Sequence, residues 1–324
     1  MPAWFFKDSL TIPFGYHKMI TDIGMVQKTP FSEDPRKSIE RLDQFLPFEA
    51  DRIDHLSATI NRLGCRLIIC DIAPMGIKVA EAAGIPSILI ENFTWDWIYE
   101  GYRELSRQAE RHICYLRDVF ARADFHIQTQ PVCRPDTADL TLPPISRRPL
   151  TPPRVTRDKL GLNVNEKIVL ISTGGIPQAY DFLDRLQKMD YVTFIIPGGG
   201  PQATRHQNVI ILPHRSDYYH PDLVLASDAL VGKAGYSTLA EVYRAGVPFG
   251  YVTRPDFRES EILARYIQAE MSGFELSIGE FEKGAWVSEL KPLLDYPRIQ
   301  RKNNGAAVAA AKFIIDRFGN TCAY

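Results

Sequence analysis

The stretch from Ser227 to Glu261, SDALVGKAGYSTLAEVYRAGVPFGYVTRPDFRESE, decides the fold of this chain. Residues 229–231 are β-prone and run into a glycine-rich turn, which an amphipathic helix follows. A second β-prone run covers 248–252, and a polar loop leaves its end. Strand, turn, helix and strand in this order are typical of a parallel α/β sheet. The pattern therefore predicts two consecutive strand ends that aim polar residues at one edge of the sheet.

The turn and the helix start within this stretch have the layout of an anion site. Free backbone N–H groups at a helix start, with the helix dipole behind them, attract phosphate. Gly232 and Gly235 let the backbone approach closely, and the hydroxyls of Ser237 and Thr238 can cap the helix or donate to oxygens. Lys233 can neutralise a diphosphate or remain solvated.

Composition indicates a soluble globular protein. The 324 residues are 45% hydrophobic and 24% charged, and the formal net charge of −1 gives no general attraction to nucleic acid. No apolar run approaches the roughly 20 residues of a spanning helix. The five cysteines are dispersed and form no C-x-x-C pair, which disfavours a structural metal. We expect a cytoplasmic protein, with contact to a membrane surface left open.

Two α/β halves follow one another along the chain. Strands alternate with helices in both, which predicts parallel sheets with helices on both faces. Seven prolines between Pro131 and Leu162 indicate a stiff linker. The predicted units are a first Rossmann-like domain over 1–142, a proline-rich linker over 143–165 and a second domain over 166–324.

A second glycine turn lies at the carboxyl end of the first strand of the second half. Thr173, Gly174 and Gly175 follow that strand, where ligands bind in open α/β sheets. Alone, a glycine pair is more often a tight turn. Together with Gly235 and the helix start behind it, it predicts one shared phosphate site.

Two carboxylates extend this prediction, each with an alternative. Glu241 lies one helical turn after Thr238 and can bind a ribose diol, but Thr238 and Glu241 also have the spacing of a capping box. Glu259 can bind sugar hydroxyls or can belong to an ordinary solvated helix start.

The segment 91–99, ENFTWDWIY, follows a strand of the first half. Its aromatic residues and the polar groups between them fit an acceptor pocket, and helix packing would use the same aromatics. Glu91 and Asp96 are candidate general bases. Asp71, at the neighbouring strand end, either acts similarly or caps the next helix.

These residues carry a family resemblance. The block DALVGKAGYSTLAEVYRAGVPFGYV, followed by RPDFRESEILARY, resembles the donor domain of inverting GT-B glycosyltransferases, particularly the branch that glycosylates lipid-linked peptidoglycan precursor with N-acetylglucosamine. AEAAGIPSILIENFTWDWIYEGY resembles the glycosyltransferase-like region of plant arabinose kinases. The matching segments cover most of residues 20–318.

The resemblance implies two Rossmann-like domains that face a cleft, and a nucleotide-sugar donor, most often a uridine diphosphate sugar. It implies no cofactor and no metal, because the helix start stabilises the departing diphosphate. The donor-binding residues that the resemblance implies are Gly174, Gly175, His214, Gly235, Ser237, Thr238, Glu241 and Glu259. The layout of the helix start adds Lys233 and Tyr236 to the predicted donor site.

The front of the chain departs from the family pattern. Related enzymes begin with a strand and a loop that contains glycine and histidine, and this sequence has no Gly-His-Gly stretch. We therefore expect a first domain that lacks about 35 to 40 residues, roughly one βαβ beginning. The expected function is transfer of a sugar to a hydroxyl acceptor, lipid-linked or otherwise, with inversion. The alternatives are a nucleotide-sugar epimerase or hydrolase, and a module that binds the nucleotide sugar without chemistry.

Overall fold

The computed structural model describes residues 1–174, 180–301 and 305–319. Two parallel sheets dominate these residues, one of four strands and one of seven, and helices pack around both. The predicted α/β class with two Rossmann-like units is confirmed. Gly175, one of the predicted donor residues, lies outside the described residues.

The chain opens with short elements that precede the first sheet. Asp34 caps the second helix by accepting a hydrogen bond from the backbone N–H of Lys37, and Pro35 occupies its first turn. The elements are α1 (Ala3–Lys7), β1 (Gln27–Thr29), β2 (Ser32–Glu33), α2 (Pro35–Phe45) and α3 (Ala50–Arg62).

The first sheet has the strand order β3-β4-β5-β6, all parallel. Its elements are β3 (Ile68–Asp71), α4 (Pro74–Ala83), β4 (Ser87–Glu91), α5 (Trp95–Glu100), α6 (Arg107–Phe120), β5 (Phe125–Thr129) and β6 (Leu140–Leu142). The aromatic segment predicted as an acceptor pocket therefore spans the end of β4 and the start of α5.

The second sheet has the order β13-β12-β11-β7-β8-β10-β9, parallel except for the β10 and β9 pair. Its elements are α7 (Pro153–Lys159), β7 (Lys167–Ser172), α8 (Leu183–Gln187), β8 (Val192–Gly200), β9 (Thr204–His206), β10 (Val209–Pro213), α9 (His220–Ala226), β11 (Ala229–Lys233), α10 (Tyr236–Ala245), β12 (Phe249–Val252), α11 (Glu259–Glu270) and β13 (Gly273–Leu276). The helices α12 (Ile278–Glu282), α13 (Leu290–Asp295) and α14 (Ala306–Phe318) follow.

The second sheet is buried on both faces. Along β7, Ile168 and Leu170 belong to one apolar core, whereas Val169 and Ile171 belong to the other. All four side chains are completely buried. Strands covered on both sides read as continuous apolar runs, which is why this strand was evident from sequence.

The chain crosses between the two units at both ends. Phe31, just before β2, packs in a core of the second sheet, with its ring 5.3 Å from that of Phe281. The helix α14 packs Ala306 and Ala310 against the first sheet, although the sequence prediction assigns these residues to the second domain. These packing contacts link the two units. None of the helices in the described ranges combines the length and apolar character that crossing a bilayer requires.

Candidate functional site

The two glycine turns predicted to form one site lie side by side at the carboxyl edge of the second sheet. The strands β7 and β11 are adjacent, and Gly232 pairs with Ser172. A Cβ on Gly232 would lie 1.8 Å from the carbonyl oxygen of Ser172, so this approach requires glycine. Cβ atoms built on Gly174 and Gly235 would lie 3.1 Å and 3.8 Å from Cε of Lys233. Both turns therefore converge on one lysine.

The start of α10 carries free backbone donors. Gly235 is its N-cap, and within the described ranges no side chain caps the helix. Thr238 therefore does not make the capping box that its spacing to Glu241 allows. Ser237 is exposed at the helix start and Thr238 is buried behind it. The first N–H groups of this ten-residue helix remain available to an anion.

Lys233 lies between these two turns. Its side chain is only 8% exposed, and a Cβ on Gly174 would be 3.3 Å from its Nζ. In the described part of the chain, no hydrogen bond or ion pair involves its ammonium group. Burial, together with the charge of Arg254, lowers the pKa of Lys233 to about 8, while Glu33 and Glu259 act in the opposite direction. A buried cation without a direct partner is costly unless an anion joins it.

Glu241 is held by two cationic partners. Its Oε1 accepts hydrogen bonds from Nε and Nη2 of Arg147, at 3.0 and 2.8 Å, and its Oε2 lies 2.6 Å from Nδ1 of His220. The carboxylate is 4% exposed. Burial opposes ionisation, but the charges and hydrogen bonds of His220 and Arg147 hold the pKa of Glu241 below its usual value. These bonds occupy three of the roughly four acceptor positions of the carboxylate, and the predicted ribose contact stays a prediction.

Glu259 belongs to a buried polar cluster between the two units. Its Oε1 accepts a 2.8 Å hydrogen bond from Asn92, which follows β4 of the first sheet. Arg254 donates to Glu33 at 2.7 Å and lies 3.5 Å from the second oxygen of Glu259. Burial raises the pKa of Glu259 despite the nearby charge of Arg254. Glu259 is therefore not a solvated helix start, and Lys233 is close enough to act on its ionisation.

Two further predicted donor residues, His214 and Tyr236, have partners outside the glycine turns. The ring of His214 packs edge-on against Trp4 with centroids 5.9 Å apart. Tyr236 accepts a 3.3 Å hydrogen bond from the backbone N–H of Ile145, in the connection between the sheets. Burial raises the pKa of Tyr236 to about 12, and the charges of Asp71 and Glu259 add to this effect.

The two predicted general bases have strong internal partners. Glu91 is 5% exposed, and its Oε1 lies 2.6 Å from Nε2 of His126 and accepts a 2.9 Å bond from Gln128. Asp96 is completely buried, and its Oδ2 lies 3.2 Å from Nη1 of Arg134. Their catalytic role stays a prediction, and the observed contacts give both carboxylates a structural function.

Asp71 presents a different environment. It ends β3, and its side chain is exposed, although the surrounding protein desolvates the carboxylate and raises its pKa. Asp22 lies near enough for the charge of Asp71 to raise its pKa as well, after the larger effect of burial. The charge of Asp71 also reaches Tyr236 at the start of α10. Asp71 is thus an exposed carboxylate on the first unit, and its charge acts on Tyr236 of the second.

Sequence reasoning missed several residues that build this site. Glu33, Arg147 and His220 lie in segments without a recognisable motif, so no local pattern distinguishes them. Asn92 comes directly after β4, and Arg254 lies in the loop that follows β12. A polar residue at the end of a strand was the sequence signal that could have identified them.

Comparisons with known proteins agree with this architecture. No model of a known protein family matches the chain. The L-arabinokinase of Arabidopsis thaliana is 25% identical over an alignment of 328 residues, and the alignment covers 99% of this chain. The chain spans 31% of the length of that relative. An uncharacterized glycosyltransferase of Methanopyrus kandleri is 24% identical over 285 residues, covering 82% of this chain and 78% of the relative.

Solved structures define the fold. The glycosyltransferase of kitacinnamycin matches with a TM-score of 0.59 and 15% identity, over 90% of this chain and 85% of its own. CalG4, the calicheamicin glycosyltransferase, matches with a TM-score of 0.58 and 14% identity, over 90% and 86%. The chain has the GT-B fold of glycosyltransferases. The resemblance predicted from the sequence is confirmed, and the glycine turns of this GT-B protein lie in its second Rossmann-like unit. Glycosyltransferase VinC, solved in complex with DTDP, matches with a TM-score of 0.52 and 15% identity, over 88% of this chain and 76% of VinC.

Proposed function

We propose that this GT-B protein transfers a sugar from a nucleoside diphosphate donor, uridine diphosphate first among the candidates, to a hydroxyl acceptor with inversion. The observation that carries the proposal is the position of Lys233. Its buried ammonium group lies between Gly174 and the uncapped start of α10, without a direct partner among the described residues. A diphosphate supplies the charge that this arrangement lacks.

The donor side of the reaction follows from this charge distribution. As the bond between the anomeric carbon and the diphosphate breaks, the electron pair passes to the leaving oxygen. Backbone N–H groups of α10 and the ammonium group of Lys233 would stabilise that charge, which lowers the barrier without requiring a metal. The expected independence of metal is part of the proposal.

On the acceptor side, we assign the general base to Asp71. An inverting transfer needs one base that takes the proton of the acceptor hydroxyl while its oxygen attacks the anomeric carbon. Asp71 is exposed and has a raised pKa, whereas Glu91 and Asp96 are buried and paired with other side chains. Its effect on the ionisation of Tyr236, the first residue of α10, supports this assignment.

The relatives support the donor class. VinC was solved with DTDP, a nucleoside diphosphate, and one relative is a glycosyltransferase by description. The chain matches only part of the plant arabinokinase, and we do not extend the kinase activity to it.

Calorimetric titration tests the proposal. Uridine diphosphate glucose, uridine diphosphate N-acetylglucosamine, thymidine diphosphate glucose and guanosine diphosphate mannose are titrated without metal into the protein and into Lys233→Met. We expect at least one donor to bind, with an affinity about tenfold lower in Lys233→Met. Lys188→Met, at an exposed position, is the matched control and should bind normally. No binding of any donor to the unaltered protein would overturn the proposal.

Incubation of the bound donor alone separates the alternative reactions. Formation of a sugar isomer would indicate an epimerase, and release of free sugar would indicate a hydrolase. Stable donor that is consumed only when a hydroxyl acceptor is added supports transfer. Donor that binds but is never consumed would indicate a binding module.

A further inference from the structure

Four side chains form a continuous polar chain that ends at the candidate diphosphate site. Arg147 binds Oε1 of Glu241, and Oε2 of Glu241 lies 2.6 Å from Nδ1 of His220. The other ring nitrogen of His220, Nε2, lies 3.4 Å from Oγ of Ser172. Ser172 is the last residue of β7, two positions before Gly174. The chain therefore connects the start of α9 to the glycine turn.

The carboxylate in the middle of this chain is largely used by other side chains. Both oxygens of Glu241 have partners within 3.0 Å, and the side chain is buried. Three of the roughly four acceptor positions of a carboxylate are therefore occupied. Glu241 is thus suited to orient Arg147 and His220.

The bond to Glu241 fixes the orientation of His220. A carboxylate at Nδ1 requires a proton on that nitrogen, so the ring is held with Nε2 towards Ser172. The contact at Nε2 is long for a hydrogen bond, and the imidazole is 24% exposed. This nitrogen is accessible and has no strong partner among the described residues.

We propose that His220 is a diphosphate-binding residue, and that Glu241 and Arg147 are positioning residues that orient it. In its protonated form His220 donates from Nε2 to a phosphate oxygen at the Ser172 end of the site, while Lys233 binds the opposite end. The inference rests on the proposed donor class and deepens it. During transfer, the diphosphate leaves with the electron pair of its bond to the sugar, and His220 keeps its proton and stabilises the charge through the hydrogen bond.

Binding should then depend on pH through the imidazole. The charged groups around His220 are Glu241 on α10, Arg147 in the connection between the sheets and Asp222 on α9, while Tyr219 precedes it in the chain. Asp222 already accepts from the backbone N–H groups of Leu150 and Thr151, at 2.6 and 3.1 Å. Its carboxylate is therefore already held by the backbone of the connection between the sheets.

The experiment titrates uridine diphosphate glucose and thymidine diphosphate glucose into the protein at a series of pH values between about 5.5 and about 7.5. The phosphates of these donors do not titrate in that window, and Lys233, with a pKa of about 8, stays largely charged. We expect affinity to fall as pH rises in the unaltered protein. His220→Gln should bind about tenfold more weakly at the acid end and should lose the pH dependence.

Glu241→Gln distinguishes positioning from ribose binding. The thymidine donor lacks the ribose 2′-hydroxyl, so a ribose contact would make the loss larger for the uridine donor. Equal losses for both donors, with a flattened pH profile, support the positioning role. His55→Gln, at an exposed position of α3 in the first unit, is the matched histidine control and should keep the profile. Circular dichroism melts show whether each variant folds. If Glu241→Gln fails to fold, the comparison of His220→Gln with the unaltered protein decides.

The outcomes separate the two proposals. If the unaltered protein binds no nucleotide sugar, the proposed function fails. If it binds normally and His220→Gln has the same affinity and the same pH profile, the donor class stands and the role of His220 is overturned.

Discussion

The side-chain amide of Asn92 donates a 2.8 Å hydrogen bond to the carboxylate of Glu259, 167 positions further along the chain. Asn92 follows β4 of the first sheet, and Glu259 begins α11 beside the second. Both are buried, with 5% and 3% of their surface exposed. The two Rossmann-like units of this GT-B protein are thus joined by a buried polar bond next to the proposed donor site.

Replacement of Asn92 by alanine should destabilise the protein. It leaves a buried carboxylate oxygen without its donor, which costs about 1–3 kcal/mol. Burial raises the pKa of Glu259, so its charge develops in the folded protein only as pH rises through that raised pKa. Because Asn92 stabilises the charged form, the deficit of Asn92→Ala should be smallest below that pKa and should grow as pH rises through it. Urea unfolding at a series of pH values from about 4 to about 9 measures it.

Asn61→Ala, at an exposed position of α3, is the control for the loss of an asparagine side chain. It should change the free energy of unfolding by less than about 0.5 kcal/mol. A deficit for Asn92→Ala that stays constant across the pH series would contradict the link to the ionisation of Glu259.

Lys233→Met should stabilise the protein while it weakens donor binding. The lysine is a buried cation whose pKa of about 8 lies below its ordinary 10.5. The unfolded chain therefore binds more protons between these values, so the stability of the unaltered protein rises with pH in this window. The advantage of Lys233→Met should be greatest below pH 8 and shrink towards pH 10.5.

Thermal melts across this pH range, without ligand, measure the effect. Lys188→Met, at an exposed position, should show no such pH-dependent difference. If Lys233→Met is less stable than the unaltered protein at pH 7, the lysine is satisfied within the fold, and its availability to a ligand is contradicted.

Gly174→Ala should combine a backbone cost with a blocked site. Its φ of 74° is unfavourable for alanine, and the added Cβ would lie 3.1 Å from Cε and 3.3 Å from Nζ of Lys233. We expect a loss of stability of about 1–2 kcal/mol and a loss of donor binding, both measured on the same preparation.

Gly84→Ala is a matched control for this variant. Its φ is 68° and nothing lies within 4 Å of the added Cβ, so it carries the backbone cost alone. It should lose comparable stability and bind donor normally. Weakened binding in both variants would mean that general destabilisation, and not the position of Gly174, accounts for the effect.

The sequence predicted the position of the two glycine turns in the fold better than the partners of the predicted carboxylates, for a physical reason. Gly174, Gly235 and the start of α10 follow buried strands, and their geometry is set by local backbone patterns. Parallel packing of β7 and β11 then brings them together without further information. The spacing of Thr238 and Glu241 could not show that Gly235 is the N-cap and that these two residues form no capping box. Glu241 instead binds Arg147 and His220.

The partners of the predicted carboxylates depend on contacts between distant segments. Glu91 and Asp96 follow a strand as a catalytic residue would, but His126 and Arg134 reach them from other parts of the first unit. Likewise α14 continues from the second half in sequence and packs against the first sheet. Tertiary packing decides these contacts, and a local pattern of residues along the sequence does not predict them.

Asp71→Asn should abolish most of the transfer and leave donor binding intact. A general base contributes about 10²–10⁴-fold to the rate, so kcat should fall by that factor with an acceptor present. Calorimetric donor affinity should stay unchanged, because Asp71 lies on the first unit and the proposed phosphate contacts lie on the second.

The pH profile of kcat tests the same role. In the unaltered protein kcat should rise with pH through the raised pKa of Asp71, as the carboxylate ionises, and this rising limb should be absent from Asp71→Asn. Asp22→Asn, which removes the neighbouring carboxylate, should keep the limb. An Asp71→Asn protein that transfers sugar at the normal rate with the same pH profile would return the choice of base to Glu91 and Asp96, whose partners His126 and Arg134 would then have to move during the reaction.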